Sequence, residues 1–295
     1  MNDLFSVRRL IWSWQIIEAV LLIALFRQSQ VSLMMVLLLT LVTMVLLRGI
    51  IVGIIAVTVS VSFASTTITK MQFLRFWWGE FVAFCYLYFW AQAKPRKTLD
   101  PHPPVLQRHV IFVHGFLCND GFWIQLGRQL QRAGVSFSSV EMSAAFASIE
   151  TFARLVENEI EHCLARNSNA SITLIAFSMG GLACRRLPDG LQKNVNLITL
   201  YTPHQGTLLA NITGFFGAAN GREMAKGSDW LATLNQQPDQ FKKAVGIWST
   251  HDTIVMPSVL GKPPFHALRL RGRGHLNASI DRRLHRHLIR LLKVL

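Results

Sequence analysis

The chain has 295 residues, of which 51% are hydrophobic and only 16% are charged, whereas soluble domains carry roughly 25% charged residues. The net charge of +14 excludes an acidic-surface protein, and the hydrophobic content excludes disorder by composition. The four cysteines are scattered, without a C-x-x-C pair or zinc-ligand spacing, which argues against a disulfide scaffold and against a metal site.

The charges divide the chain into two halves. Residues 1–97 contain nine basic and three acidic residues between long uncharged stretches, while residues 98–295 contain 21 basic and 13 acidic residues mixed with glycine, proline and short apolar runs. We predict a membrane region over 1–97, a linker over 98–108 and one soluble domain over 109–295. The linker contains three prolines between Asp100 and Pro104, which fix φ and remove hydrogen-bond donors.

The membrane region contains four apolar segments, each just long enough with its flanks to cross a bilayer core of roughly 30 Å: residues 10–26, 31–47, 49–65 and 76–91. Only Arg48 separates the second from the third, so these two could also form one long broken segment. Glu18 and Glu80 lie in the first and fourth segments. Intramembrane acids mark transport paths, but no internal symmetry accompanies them. We therefore do not predict a transporter. The four segments predict about four transmembrane helices.

An even number of spans places both chain ends on one side of the membrane. The basic residues on the side of the soluble domain are then Arg8, Arg9, Arg48, Lys94, Arg96 and Lys97, and those on the other side are Arg27, Lys70 and Arg75. The positive-inside rule predicts a cytoplasmic soluble domain, and unpaired cysteines fit a reducing compartment. A cleaved signal peptide would account for the first segment alone.

Strands and helices alternate in the soluble half, which is typical of a mostly parallel sheet covered on both faces and predicts the α/β class. Predicted strands cover residues 109–113, 135–140, 171–177, 196–201, 244–249 and 266–271. Predicted helices include residues 121–133, 149–163 and 279–294.

The first candidate catalytic residue follows the third predicted strand. Ser178 stands between that strand and a helix. A serine on such a turn lifts its hydroxyl clear of the sheet, and small residues two positions before and after it let the backbones approach. Ala176 and Gly180 occupy these positions, so Ala176 departs from the usual G-x-S-x-G pattern by one methyl group.

A serine nucleophile requires a base, and the base requires an acid that fixes its tautomer. Asp252 follows the fifth predicted strand, and His275 follows the sixth in a glycine turn. The chain order serine, acid, histidine is the one expected of a nucleophile on a strand-to-helix turn. Asp229 and Asp281 are competing acids, but neither follows a strand directly.

Negative charge that develops on a substrate oxygen requires two backbone N–H donors. Met179, directly after the nucleophile, is the first candidate. The loop after the first strand supplies the second, with Phe116 as the preferred donor and Leu117 as the alternative. We interpret His114 as a structural residue that holds this loop by a hydrogen bond.

Five segments in chain order, HVIFVHGF, LIAFSMGG, LYTPHQGT, STHDTIVMPS and RGRGH, resemble the α/β-hydrolase superfamily, specifically its bacterial lipase and esterase branch. The resemblance covers nearly all of 109–295 and none of the membrane region. It implies an α/β-hydrolase fold, a triad of Ser178, His275 and Asp252, hydrolysis of lipid or acyl esters through an acyl-enzyme, and no cofactor. The segment between Thr207 and Ala244 corresponds to the cap helices of such enzymes and contains Phe215, Phe216, Met224 and Trp230.

Several alternatives stay open at the level of sequence. A thioesterase or acyltransferase would use the same triad, and a non-catalytic binding module on a membrane scaffold would keep only the fold. The last predicted helix has an apolar stripe, expected to pack on the sheet, and a basic face that could rest on anionic lipid. No nucleic-acid partner is predicted, because no binding motif accompanies the positive charge. The sequence leaves the oligomeric state unknown.

Overall fold

A computed structural model describes residues 6–94, 105–142, 144–215 and 217–295. The proline-rich part of the predicted linker, Arg96, Lys97 and Phe216 lie outside these residues. The chain begins with three helices, each of which starts at a Ser or Thr whose side chain caps the first turn. They are α1 (Val7–Phe26), α2 (Leu33–Thr58) and α3 (Lys70–Cys85), and short π-helical segments extend α2 to Phe63 and α3 to Ala91.

Within the described residues, two helices are long and apolar enough to cross a membrane, Val7–Ser29 and Leu33–Phe63. The second and third predicted segments form a single helix, because Arg48 and Gly49 continue its α-helical turns. The fourth segment forms α3, which packs on the soluble domain. The expected count of about four transmembrane helices is therefore not reproduced here, and membrane insertion itself stays a prediction.

An ion pair joins the first two helices. The Arg48 guanidinium donates hydrogen bonds to both carboxylate oxygens of Glu18 and a third to the Met44 carbonyl at 3.0 Å. Its carbon lies 5.0 Å from the centroid of the Phe89 ring, which belongs to the extension of α3. Arg48 is only 6% exposed, so Glu18 neutralises a charge that the apolar surroundings would otherwise disfavour.

The soluble domain is built on a six-stranded parallel sheet with the order β2-β1-β3-β4-β5-β6. Four of its strands are buried along most of their length, as expected of a parallel sheet covered on both faces. The strands are β1 (Arg108–Val113), β2 (Ser136–Ser139), β3 (Ser171–Phe177), β4 (Asn196–Leu200), β5 (Lys243–Ser249) and β6 (His266–Leu270). All six predicted strands are confirmed to within a few residues.

Helices cover both faces of this sheet. Alternate strand residues pack against α5 (Ile149–Arg166) and α6 (Met179–Arg185) on one face, and against α4 (Ile124–Arg132) and α11 (Arg282–Leu291) on the other. Leu284 and Leu288 carry the apolar stripe of α11 into the core, as expected. The remaining helices are α7 (Asp189–Gln192), α8 (Ala210–Phe215), α9 (Ala219–Met224) and α10 (Asp229–Gln236), the last three in the predicted cap segment.

Helix α3 and its extension share the core of the soluble domain. Their buried residues recur at intervals of three and four, which places them on one face of the helix: Phe76, Glu80, Ala83, Leu87 and Ala91. The contact is close, because a Cβ atom on Gly79 would lie 2.8 Å from Asn277 Nδ2 and one on Gly121 would lie 2.3 Å from the Ala91 carbonyl oxygen. The chain N-terminal to the predicted linker is thus part of the packing around the sheet.

Replacement of Arg48 by Met should lower the thermal unfolding midpoint of the full chain in detergent, because it removes the counter-charge of Glu18 and leaves this carboxylate only the hydrogen bond from the Trp14 indole. Breaking a buried pair in this way costs about 3–5 kcal/mol. The double replacement Glu18→Gln with Arg48→Met should recover most of this loss. Equal midpoints for the single and double variants would contradict the role assigned to the pair.

Candidate active site

Ser178 occupies a strained turn between β3 and α6. Its backbone has φ 54° and ψ −126°, a conformation that L-residues rarely adopt and that persists where the surroundings enforce it. A Cβ atom on Gly180 would lie 2.6 Å from the carbonyl oxygens of Val113 and His114, so this position requires glycine. Ala176 lies inside β3 without a positive φ and is fully buried, which explains why alanine is accepted there.

Asp252 and His275 are in direct contact. His275 Nδ1 lies 2.8 Å from Asp252 Oδ1 and 3.0 Å from Oδ2. The carboxylate is itself oriented by the backbone, since Oδ1 accepts hydrogen bonds from the N–H groups of Ile254 at 2.9 Å and Val255 at 2.8 Å. This contact fixes the tautomer in which Nδ1 carries the proton and Nε2 is the basic atom.

The imidazole of His275 lies beside the nucleophile turn. Its ring centroid is 4.7 Å from that of Phe177, the residue before Ser178, and 6.0 Å from that of Tyr201. Both His275 and Ser178 are buried, at 3% and 7% exposure. Among the described residues no hydrogen bond joins Ser178 to His275, and such catalytic contacts often tighten only when substrate binds.

The loop after β1 packs directly against the nucleophile. A Cβ atom on Gly115 would lie 2.8 Å from Ser178 Cβ. A tight turn from Gly115 to Cys118, closed by a 3.2 Å hydrogen bond from the Cys118 N–H to the Gly115 carbonyl, does not use the Phe116 N–H. Met179 is the first residue of α6, so its N–H has no partner within the helix. Within the described parts of the chain, neither candidate donor uses its backbone N–H in a backbone hydrogen bond.

The other titratable candidates have structural partners. His114 Nδ1 lies 3.0 Å from the Gly115 carbonyl, and its Nε2 accepts a hydrogen bond from the Met142 N–H at 3.4 Å, so it holds the loop as expected. Asp281 caps α11 and pairs with Arg273, and Asp229 begins α10. No cluster of three metal-ligating side chains is found in the described parts of the chain.

Sequence reasoning missed Glu80, which it assigned to a membrane span. The structure buries this side chain to 2% exposure next to the turn that carries His275. Burial raises the pKa of the Glu80 carboxyl, while hydrogen bonds from Thr253, Leu276 and Asn277 oppose the rise. The sequence feature that could have indicated this role is an acid next to a glycine on the apolar stripe of a helix. The same pattern, however, also fits a helix in lipid.

Comparison with known proteins supports these observations. Residues 107–220 match the family model described as "Putative serine esterase (DUF676)". The mature form of a Bacillus licheniformis lipase superposes with a TM-score of 0.55 at 15% identity, covering 68% of this chain and 96% of the lipase. Lipase B of Aspergillus fumigatus gives a TM-score of 0.50 at 16% identity and covers 63% of this chain and 52% of its own. The chain has the α/β-hydrolase fold.

The sequence relative in yeast is more limited in extent. The Saccharomyces cerevisiae protein named triacylglycerol lipase 2 is 31% identical over 98 residues, which cover 30% of this chain and 30% of the yeast protein. The chain thus spans about a third of the length of this relative. Both bacterial and fungal lipases share the fold, so the assignment to a bacterial branch stays a prediction.

Replacement of Gly180 by Ala should abolish activity and lower the unfolding midpoint, because the new methyl group would overlap two carbonyl oxygens of the neighbouring loop. Ala176→Gly is the matched control: it restores the usual pattern and should keep the activity, with a stability loss of about 0.5–1 kcal/mol. Ester turnover and thermal unfolding of both variants check this. An active Gly180→Ala enzyme would mean that the turn is not as tight as described.

Proposed function

We propose that the protein is a membrane-anchored serine hydrolase that cleaves carboxylic esters of lipids or other acyl compounds. Ser178 is the nucleophile, His275 the general base and then the general acid, and Asp252 the residue that orients the base. The backbone N–H groups of Phe116 and Met179 stabilise the oxyanion. The observation that carries the proposal is the pairing of Asp252 with His275 beside the strained Ser178 turn.

The reaction follows from these positions. His275 Nε2 takes the proton from Ser178 Oγ as the oxygen attacks the ester carbonyl carbon, and the negative charge on the carbonyl oxygen is held by the two N–H groups. The protonated His275 then gives its proton to the leaving alcohol, which leaves an acyl-enzyme. In the second half of the reaction, His275 takes a proton from a water molecule as that water attacks the acyl-enzyme. His275 then returns the proton to Ser178 Oγ, the acyl bond breaks, and the acid product leaves.

Exposed apolar side chains in the predicted cap segment favour an apolar substrate. In α8, the first helix of this segment, Ile212 is 56% and Phe215 is 86% exposed, and exposed large apolar side chains mark contact surfaces for lipid or ligand. The two apolar helices would keep this surface next to a bilayer. The names of the relatives, which are lipases, point to the same class of substrate.

Replacement of Ser178 by Ala should remove labelling by a fluorophosphonate probe and lower kcat by a factor on the order of 10⁶, because no other oxygen takes the place of the nucleophile. Asp252→Asn should lower kcat about 10⁴-fold with the fold intact, since it disturbs the tautomer of the base. Labelling gels and turnover of a p-nitrophenyl ester measure both. Labelling that survives in Ser178→Ala would end the assignment of the nucleophile.

We also propose that the soluble domain faces the cytoplasm. With α1 and α2 as the two spans, Arg8 and Arg9 lie on the side of the domain, while Arg27 lies at the turn between the helices. The loop with more basic residues stays in the cytoplasm. The domain then lies on the reducing side, where its unpaired cysteines remain stable.

Cysteines placed on the two sides test this orientation. In a Cys85→Ser background, whose other cysteines are buried, Gln28→Cys should react with a membrane-impermeant maleimide in intact cells of an expression host. Asn169→Cys, an exposed position of the soluble domain, should react only after lysis and serves as the matched control. The reverse pattern would place the domain outside the cytoplasm, and reaction of both positions in intact cells would contradict membrane insertion.

A further inference from the structure

The carboxylate of Glu80 contacts both turns that carry the acid and the base. Its Oε1 accepts hydrogen bonds from the Thr253 hydroxyl and, at 3.0 Å, from the Leu276 N–H, and its Oε2 accepts one from the Asn277 N–H at 2.9 Å. Thr253 directly follows Asp252, and Leu276 directly follows His275. One side chain from α3 therefore bridges the two turns next to the reacting residues.

Thr253 completes the bridge. Its oxygen accepts a 3.1 Å hydrogen bond from the His275 N–H while its hydroxyl proton is donated to Glu80. When Glu80 is ionised, the two N–H groups and the Thr253 hydroxyl all donate to it, and its two oxygens accept all three hydrogen bonds. An amide at this position would direct its NH₂ group at another donor.

The surface around this carboxylate is shaped to receive it. A Cβ atom on Gly274 would lie 2.3 Å from Glu80 Oε2, and one on Gly79 would lie 2.8 Å from Asn277 Nδ2. Glycine on both sides thus allows α3 to approach the His275 turn closely. Glu80 is almost completely buried, and a buried carboxylate is tolerated only where donors satisfy it.

We propose that Glu80 is a positioning residue for the catalytic base, supplied by a helix outside the part of the chain that matches the esterase family. It holds the turns of Asp252 and His275 together, so that the imidazole keeps its distance from the acid and its direction toward Ser178. This inference rests on the proposed triad. It makes α3 part of the catalytic unit. The segment from residue 98 onward therefore contains His275 but not the Glu80 side chain that positions it.

The test uses the full chain in detergent and compares Glu80→Gln, Thr253→Val and the double variant. Each single change breaks the bridge with little change of volume. We expect kcat and the rate of fluorophosphonate labelling to fall about 10- to 100-fold, because a small misplacement of a catalytic group lowers the rate by this order. KM should stay within about twofold of the wild-type value. The double variant should lose no more than the worse single variant, because both changes break the same bridge.

Trp77→Phe is the matched control. It removes a hydrogen bond of 3.2 Å from the same helix to the Gly49 carbonyl of α2, which does not contact the turns of Asp252 and His275, and should keep kcat. Active wild type together with unchanged kcat and labelling in a folded Thr253→Val variant would overturn the inference, even if Glu80→Gln does not fold. Wild type that neither turns over ester nor reacts with the probe would instead overturn the proposed function.

Discussion

The contact between Asp252 and His275 is the interaction on which the proposed chemistry depends. It forms because β5 and β6 are parallel neighbours, so the turns that follow them meet at the same edge of the sheet. Ser178 reaches this edge from β3, at a turn whose strain is held by the close packing of Gly180 against the loop after β1. Residues that are 74 and 23 positions apart in the chain converge in this way.

The N-terminal part of the chain contributes to this arrangement through α3 and its extension. The stripe of α3 enters the same apolar cluster as α4 and α11, and Gln92, just beyond its extension, contacts the loop after β1 through two hydrogen bonds of 2.9 Å with Asn119. The His275 turn, held by Glu80 within α3, and the candidate oxyanion loop, held by Gln92 beyond its extension, thus contact one continuous helical segment. A rigid support of this kind is what precise positioning of catalytic groups requires.

Local patterns in the sequence predicted the strands of the sheet and the turn at Ser178, because each of these is set by neighbours along the chain. The place of α3 was not predictable in this way. Its apolar stripe with a single acid has the same appearance in lipid and in a protein core, and only the partners of Glu80, far away in the sequence, distinguish the two. The continuation of α2 through Arg48 likewise depends on Glu18, 30 residues earlier.

The distance along the chain between Glu80 and its partners has a consequence for biosynthesis. Thr253 and Asn277 follow it by 173 and 197 residues, so the Glu80 carboxylate has no access to these hydrogen-bond donors until most of the chain has been made. Without them a charged carboxylate requires water, and a charged side chain at the centre of a helix opposes entry of that helix into the bilayer by about 2.5–3.5 kcal/mol. On the proposal made for Glu80, the group that holds the histidine turn in the folded protein would also disfavour insertion of the nascent third helix into the bilayer.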